Sequence, residues 1–373
     1  MRGTVTRSGT RGRAPHNPRR FPGFLRAHVL LILIPLVAAS GALLLRSDDR
    51  RRASAWTPGR RKTSLGALTN GAPGPPRPSQ AFRKRESIDR RLADAGYDLP
   101  PHSLVYGARV EMGPDGLTYR HFEAGGGALG NDFWPASSIK VLAALGALDF
   151  ARSLGYTGDA MVVLGVEEEA RTLKSIYEEA VRDSSNEAYD LLVQVAGRDR
   201  LNNRFLTPAN GFPVTSISRS YAGADLEESP AMILEQGDRR TYVPKRTATL
   251  DPECDAGNCS NLFEMTESVR RVVLNDEIPP GERFDIDRGD LAALTQALLD
   301  AKGFFLDAVN ETLGPDVRVY AKPGDAEDRD CLDVALIEAD GGRRYLLSAS
   351  VPHSAGGCDA LAELATQVLR TLA

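Results

Sequence analysis

Histidine and cysteine are scarce in this 373-residue chain, and that scarcity excludes several kinds of chemistry. The five histidines, His16, His28, His102, His121 and His353, have no close metal-ligand spacing. There is no Cys-x-x-Cys, and no histidine sits near Cys254 or Cys259, which argues against a zinc site. No Gly-x-Ser-x-Gly elbow is present, so the strand-turn-helix nucleophile of a Ser-His-Asp hydrolase is not supported. Acidic residues are nearly missing from one end. Residues 1–85 hold 18 Lys and Arg against 2 Asp and Glu, whereas residues 86–373 hold 28 against 48. The formal charge of −4 therefore conceals a basic tail and an acidic body. An acidic body argues against nucleic acid as a partner, because phosphate binding needs clustered Lys and Arg.

The four cysteines, Cys254, Cys259, Cys331 and Cys358, all lie in the second half. Four cysteines pair in three ways. Separation makes Cys254–Cys259 and Cys331–Cys358 the economical pairing, with four free thiols or a metal site as the alternative.

The tail divides into three parts. Residues 1–26 carry seven arginines and no acid, as expected of a basic cytoplasmic tail. Val29–Leu45 is seventeen residues without a charge. With Ala27 and His28 it reaches the lower range of a membrane span, and a cleaved signal segment is the alternative. Residues 46–85 are rich in Pro, Gly and Arg with no apolar periodicity, so they read as a disordered linker. The body, residues 86–373, is expected outside the membrane, either anchored by 27–45 or secreted after cleavage.

Within the body, Leu104–Met112 and Leu117–Phe122 flank a Gly-Pro-Asp-Gly turn and predict a β-hairpin. Ser137–Ser153 predicts a helix that is apolar nearly all round, hence buried. Helical patterns follow over 167–182, 187–196, 261–274 and 288–301. Residues 198–257 show no sustained period. Strand character returns at Arg318–Ala321, at Leu332–Glu338 and at Arg344–Val351, and residues 359–372 carry one clean helical stripe. The order predicts an α/β (α+β) fold: an antiparallel sheet built from both ends of the chain, flanked by helices, with a helical lobe inserted.

Three short polar motifs fall in order along this body. Ser137-x-x-Lys140 opens the buried helix. Positions i and i+3 share a helix face, so an amine there can draw the proton from a hydroxyl one turn earlier. Ser184-x-Asn186 lies between two helices, and Lys322-x-Gly324 follows a strand. By itself each motif also has a plain structural reading: a helix cap, a polar turn and a solvated strand end.

Together the motifs resemble those of the serine β-lactamase and penicillin-binding protein superfamily, and the resemblance covers roughly residues 86–373. It implies that Ser137 is the acyl-forming nucleophile and Lys140 its proton acceptor. Ser184 would relay a proton to the leaving nitrogen, and Asn186 would hold the substrate amide and Lys140. Lys322 would bind the substrate carboxylate and disfavour the charged form of Lys140, with Gly324 and Asp325 completing the substrate edge. The backbone N–H groups of Ser137 and Asp325 would form the oxyanion hole. No cofactor is implied. The implied partner is a cell-wall peptide or a β-lactam-like small molecule.

The sequence departs from the family pattern at four places. Ser185 stands where class A β-lactamases have Asp, and Pro323 replaces a Thr or Ser whose hydroxyl helps grip a carboxylate. Asp325 puts a negative charge beside the oxyanion position. The Glu-x-x-Leu-Asn pattern that supplies a deacylating base is absent between Gly197 and Asp251; Glu227, Glu228 and Glu235 lie in that region without distinction. Two readings follow: a working serine hydrolase, or a catalytically weak binding or scaffold module at the cell wall.

Overall fold

A computed structural model describes residues 85–130, 134–165, 170–252, 254–326 and 329–372. The expected tail, span and linker at 1–26, 27–45 and 46–85 lie outside them, apart from Arg85. Among the described residues no helix is long and apolar enough to cross a membrane.

The central sheet has seven strands. β1 (Glu86–Ser87), β2 (Leu104–Gly113) and β3 (Gly116–Ala124) come from the start of the body; β4 (Arg318–Ala321), β5 (Gly324–Asp325), β6 (Asp330–Ala339) and β7 (Arg343–Pro352) come from its end. Their order is β1-β3-β2-β7-β6-β4, with β5 also pairing to β6. Every pairing is antiparallel except β1 with β3. The seam joining the two ends is β2 against β7, with Ala108 opposite Leu346. The expected sheet from both ends of the chain is therefore present.

β6 shows why the sheet needs helices on both faces. Successive side chains of a strand point to opposite sides. Leu332, Val334 and Leu336 enter one core with the helical lobe, and Cys331, Ala335 and Ile337 enter the other. The second core is closed by α1 (Asp89–Asp94) and by the C-terminal helix Gly357–Leu372, which presents Leu361, Leu364, Ala365, Val368 and Leu369.

The first core is built on α2 (Lys140–Ser153), preceded by a 3₁₀ turn over Ala136–Ile139. The expected helix thus begins one tighter turn early, and Ser137 lies in that turn. Val141, Leu142, Ala143, Ala144, Leu145, Ala147 and Leu148 are all buried, so the helix has no solvent face before its last turn, where Arg152 and Ser153 are exposed. Each buried leucine removes enough apolar surface from water to contribute roughly 2–3 kcal/mol. At Gly146 a Cβ would come within 2.1 Å of Leu201 Cδ2, so a larger residue would push the lobe apart. Around α2 pack α3 (Leu173–Arg182) and α4 (Asn186–Ala196), followed in the chain by α5 (Leu262–Val273), α6 (Arg288–Asp300), α7 (Leu306–Leu313) and the terminal α8 (Gly357–Leu372).

Two elements depart from expectation. The helical pattern at 167–182 resolves into a short strand, Arg171–Thr172, followed by α3; residues 166–169 lie outside the described set. The unread stretch 198–257 contains strands Met232–Gln236 and Arg239–Val243, which join Met161–Leu164 and Arg171–Thr172 in a second, four-stranded sheet. α7 also carried no sequence prediction.

Both economical disulfides are present, Cys254–Cys259 and Cys331–Cys358. The second ties the sheet to α8 across a separation of 27 residues; the first spans 5. Loop-closure entropy sets the expected effects. Replacing Cys331 and Cys358 together by alanine should lower unfolding free energy by about 3–4 kcal/mol. The same change at Cys254 and Cys259 should cost about 2 kcal/mol. Urea midpoints of the two double variants check the ranking.

Candidate active site

The turn that carries Ser137 is held under backbone strain. Ala136 has φ +43°, a left-handed conformation that a residue with a Cβ rarely adopts. Two contacts hold it there. Tyr221 Oη donates to the Ala136 carbonyl at 2.8 Å, and Ser138 Oγ donates to the Pro135 carbonyl at 2.6 Å. Ser138 is buried, whereas Ser137 beside it is only half-buried. Of the two serines, Ser137 is the one that can meet a substrate. Among the described residues none hydrogen-bonds Ser137 Oγ, so the hydroxyl is unengaged.

Lys140, on the first turn of α2, is completely buried. Its Nζ donates to the Ser184 carbonyl and to Asn186 Oδ1, the latter at 2.7 Å, with a longer contact of 3.4 Å to Ser184 Oγ. An ammonium has three donors. A neutral amine has two, which the Ser184 carbonyl and Asn186 would occupy, leaving its lone pair for the proton of Ser137. Burial lowers the Lys140 pKa to about 8, against the opposing charges of Glu187 and Asp190.

Ser184 stands between two lysines. Lys322 Nζ, also buried, donates to Ser184 Oγ at 2.9 Å and to the Pro323 carbonyl at 3.2 Å. Burial, and then repulsion from Lys140, lower the Lys322 pKa to about 7, while the Asp333 carboxylate opposes that drop. With its lone pairs turned to the lysines, Ser184 keeps its own proton free to move toward a leaving group. Its φ of +58° aims both the carbonyl and the hydroxyl at the amines. Ser185 plays a different part. It is the N-cap of α4, and its side chain accepts from Ala188 N at 3.1 Å. Asp would cap equally well there, so this departure changes little.

The third motif runs along the sheet edge. Lys322 N donates to the Val334 carbonyl and Gly324 pairs with Leu332, which leaves Pro323 at a position needing no N–H. A Cβ at Gly324 would meet the Pro135 carbonyl at 3.0 Å; glycine is what lets β5 lie against the turn that carries Ser137. Asp325 is exposed, and its carboxylate pairs with His353 Nε2 at 2.8 Å. The negative charge at Asp325, expected beside an oxyanion position, therefore has a partner. Ser137, Lys140, Ser184, Asn186, Lys322 and Gly324 come together in one place, and Asp325 continues the same edge.

Among the described residues, each of the three candidate glutamates faces a basic residue, and no hydrogen bond joins any of them to Ser137 or Lys140. Glu227 pairs with Arg198 at 3.8 Å, Glu228 with Lys245, and Glu235 with Arg240 at 2.9 Å. None of these three is among the carboxylates acting on Lys140. The loop that reaches the lysine instead presents Tyr221, whose ring centroid is 5.7 Å from Lys140 Nζ and which stacks on Tyr189 at 4.5 Å. Burial pushes the Tyr221 phenol up to about 12, so it is no base at neutral pH.

Three further residues build the site without having been singled out from sequence. Asp190, buried on α4, accepts from the backbone N–H of Tyr221 (2.9 Å), Ala222 (2.9 Å) and Ala224 (3.2 Å) and from Ser220 Oγ (2.5 Å). It fixes the loop that carries Tyr221. Its position four residues after Asn186 on the same helix was the available signal. Tyr221 had no signal, because the loop has no period. Asp333, fully buried in β6, accepts from the N–H of Phe305 (3.0 Å) and of Val334 (2.8 Å). Burial raises its pKa to about 6.

Comparison with solved structures places this geometry. A class A β-lactamase from Mycobacterium abscessus superposes with a TM-score of 0.52 at 18% identity, covering 76% of this chain and 99% of its own. The body has the β-lactamase fold. An ancestral class A enzyme, the last common ancestor of Gram-negative bacteria, gives 0.52 at 20% identity, covering 77% and 99%. A class A representative from Bacteroides cellulosilyticus gives 0.51 at 15%, covering 79% and 99%. No family model matches the sequence and no curated protein matches it. The β-lactamase fold accounts for the sheet from both ends of the chain and for a helical lobe facing the sheet edge.

One prediction follows from the paired lysines. Two interacting amines lose their protons in two steps that belong to the pair. Acylation would use a form with one proton on the pair, in which neutral Lys140 accepts from Ser137 and charged Lys322 faces an anion. Because the lower value belongs to Lys322, this is the minor of the two singly protonated forms, in a ratio that pH does not change. Acylation should therefore follow a bell-shaped pH profile with its maximum between about 7 and about 8. A rate that climbs steadily to the ordinary lysine range would contradict the pairing. Second-order labelling rates from pH 5.5 to 10 decide it.

Proposed function

We propose that this protein is a serine hydrolase of β-lactamase or penicillin-binding type, acylated at Ser137 by a β-lactam, amide or ester and released slowly. The reading rests above all on one observation. Lys140 is buried at the start of α2 with its two strong acceptors already supplied by Ser184 and Asn186, which is the setting a proton acceptor for Ser137 requires.

Slow release is inferred from the residues around the lysine. Hydrolysis of a serine ester needs a water activated by a base. Tyr221 occupies the approach to Lys140, and Glu227, Glu228 and Glu235 are engaged elsewhere. The acyl group would then persist or pass to an amine acceptor. The two disulfides suit an oxidising compartment, in keeping with a body held outside the membrane by residues 27–45 and acting on cell-wall peptide or related small molecules. A second reading is a weak or inactive binding module; Pro323, which lacks the carboxylate-gripping hydroxyl, favours it.

Incubation of the full chain with a fluorescent penicillin and, separately, with a small activated ester separates the two. A single acyl adduct mapped to Ser137 by mass spectrometry supports the enzyme. Absence of an adduct with any donor supports the binding module, and labelling that survives Ser137→Ala would show that the nucleophile is another residue.

A further inference from the structure

Trp134 lies three residues before Ser137 and carries two guanidinium groups. The Arg219 guanidinium carbon is 4.7 Å from its ring centroid and that of Arg329 is 5.3 Å. The arginines come from separate segments: Arg219 from the loop ahead of Tyr221, Arg329 from the turn between β5 and β6. Both are exposed, and neither has a carboxylate partner among the described residues.

Their backbones are fixed. The Arg219 N–H donates to Asn258 Oδ1 at 3.0 Å, and its carbonyl accepts from Tyr189 Oη at 3.1 Å. The Arg329 carbonyl accepts from His353 N at 2.8 Å, the residue that also holds Asp325. Stacking on an aromatic face orients a guanidinium while leaving its planar fork of donors open. Two like charges gathered on one ring, with no carboxylate partner among the described residues, gain free energy when an anion arrives.

The position along the cleft identifies which part of a substrate they would meet. Lys322 and Ser184 stand at the start of β5, where the proposed acylation would put the leaving group and its carboxylate. Arg329 stands past the other end of β5, and Gly324 brings that strand against Pro135, next to Trp134. A substrate laid along β5 with its leaving group at Lys322 points its acyl portion at the arginines.

We propose that Arg219, Trp134 and Arg329 form a subsite for an anionic group on the acyl side of the substrate, so that the preferred donors carry a carboxylate at both ends. This rests on the acylation of Ser137 proposed above and adds a substrate class to it. Glu327 and Asp328 precede Arg329 in the sequence and lie outside the described residues; the experiment reads the net field at the subsite.

Two thioesters with the same thioglycolate leaving group provide the test, one N-succinyl-glycyl and one N-butyryl-glycyl. In each, Ser137 Oγ bonds the carbonyl carbon, the C–S bond breaks and the serine proton departs with the thiol. Intact-mass kinetics on the full chain should show the succinyl donor acylating about tenfold faster at low ionic strength, with the ratio shrinking as salt rises. Arg219→Gln or Arg329→Gln should each lower the ratio about threefold while leaving the butyryl rate unchanged. Arg329→Lys should keep part of the preference, since charge remains and the planar fork does not.

A second readout does not need acylation. Trp134 and Trp56 are the chain's two tryptophans, so Trp56→Phe leaves Trp134 as sole reporter. N-succinyl-glycine should change its fluorescence saturably, N-butyryl-glycine should not, and the response should be lost in Arg219→Gln/Arg329→Gln. Failure of both thioesters to acylate Ser137, with the fluorescence response intact, would remove the enzyme reading and keep the subsite. Equal rates for the two donors, or a preference and a fluorescence response untouched by either arginine variant, would overturn the subsite.

Discussion

Lys140→Met is expected to slow acylation of Ser137 by about a thousandfold and to leave the protein as stable as before or more so. The rate falls because the amine placed to take the hydroxyl proton is gone; positioned general bases contribute roughly 10²–10⁴. Stability does not fall with it, because a methionine of similar length fills the site without a charge to desolvate. Burial depresses the Lys140 pKa to about 8, so the folded state binds fewer protons than the unfolded chain between about pH 8 and the ordinary lysine pKa. The wild-type lysine therefore costs stability below about pH 8, and that cost fades as pH rises from about 8 to the unfolded value. The variant's advantage, no more than about 3 kcal/mol, should be largest at and below pH 8 and vanish above about pH 10.5. Melting curves at pH 6 and pH 10.5, with labelling rates at pH 7.5, test both halves. A variant that is destabilised yet still acylated at the wild-type rate would mean that Lys140 is structural.

Asp190→Ala should have the largest effect on stability of any single polar change near the site. One carboxylate satisfies three backbone N–H groups and a serine hydroxyl in the 220–224 loop. Removing it leaves four partly buried donors without their acceptor, at an expected cost of about 2–3 kcal/mol. The damage should be local first. Tyr221 would release the Ala136 carbonyl, the strained turn before Ser137 would relax, and acylation would fall with the loop. Asp190→Asn keeps one acceptor oxygen and should lose about half as much. The urea midpoint and limited proteolysis within 218–224 distinguish loop release from global destabilisation; an unchanged midpoint for Asp190→Ala would show that the loop is held by packing alone.

Much of this architecture is legible in the sequence. The strands at the two ends of the body carry alternation or continuous apolar runs, and α2 and α8 carry strong helical signals. Three polar motifs at helix starts and at a strand end locate the site. What stays hidden has a physical reason in each case. The second sheet uses short strands, and Met232-Ile233-Leu234 lacks the apolar–polar alternation that marks a half-buried strand. The Tyr221 loop is ordered by hydrogen bonds to Asp190, which leave no period to read. Asp333 sits within the apolar run Leu332–Ile337, where backbone donors from Phe305 and Val334 and the nearby Lys322 charge explain a carboxylate. The pairing of Asp325 with His353 joins residues 28 apart and depends on β6 and β7 lying side by side.

The time course of the Ser137 acyl adduct, followed by intact mass after a short pulse of penicillin and removal of excess, tests the central claim most directly. The proposed lysine-activated serine, with no deacylating base positioned among the described residues, predicts a stoichiometric burst of one acyl group per chain, an adduct that persists for many minutes, and its absence in Ser137→Ala. Continuous turnover with no adduct accumulating, or no adduct at all, would contradict it.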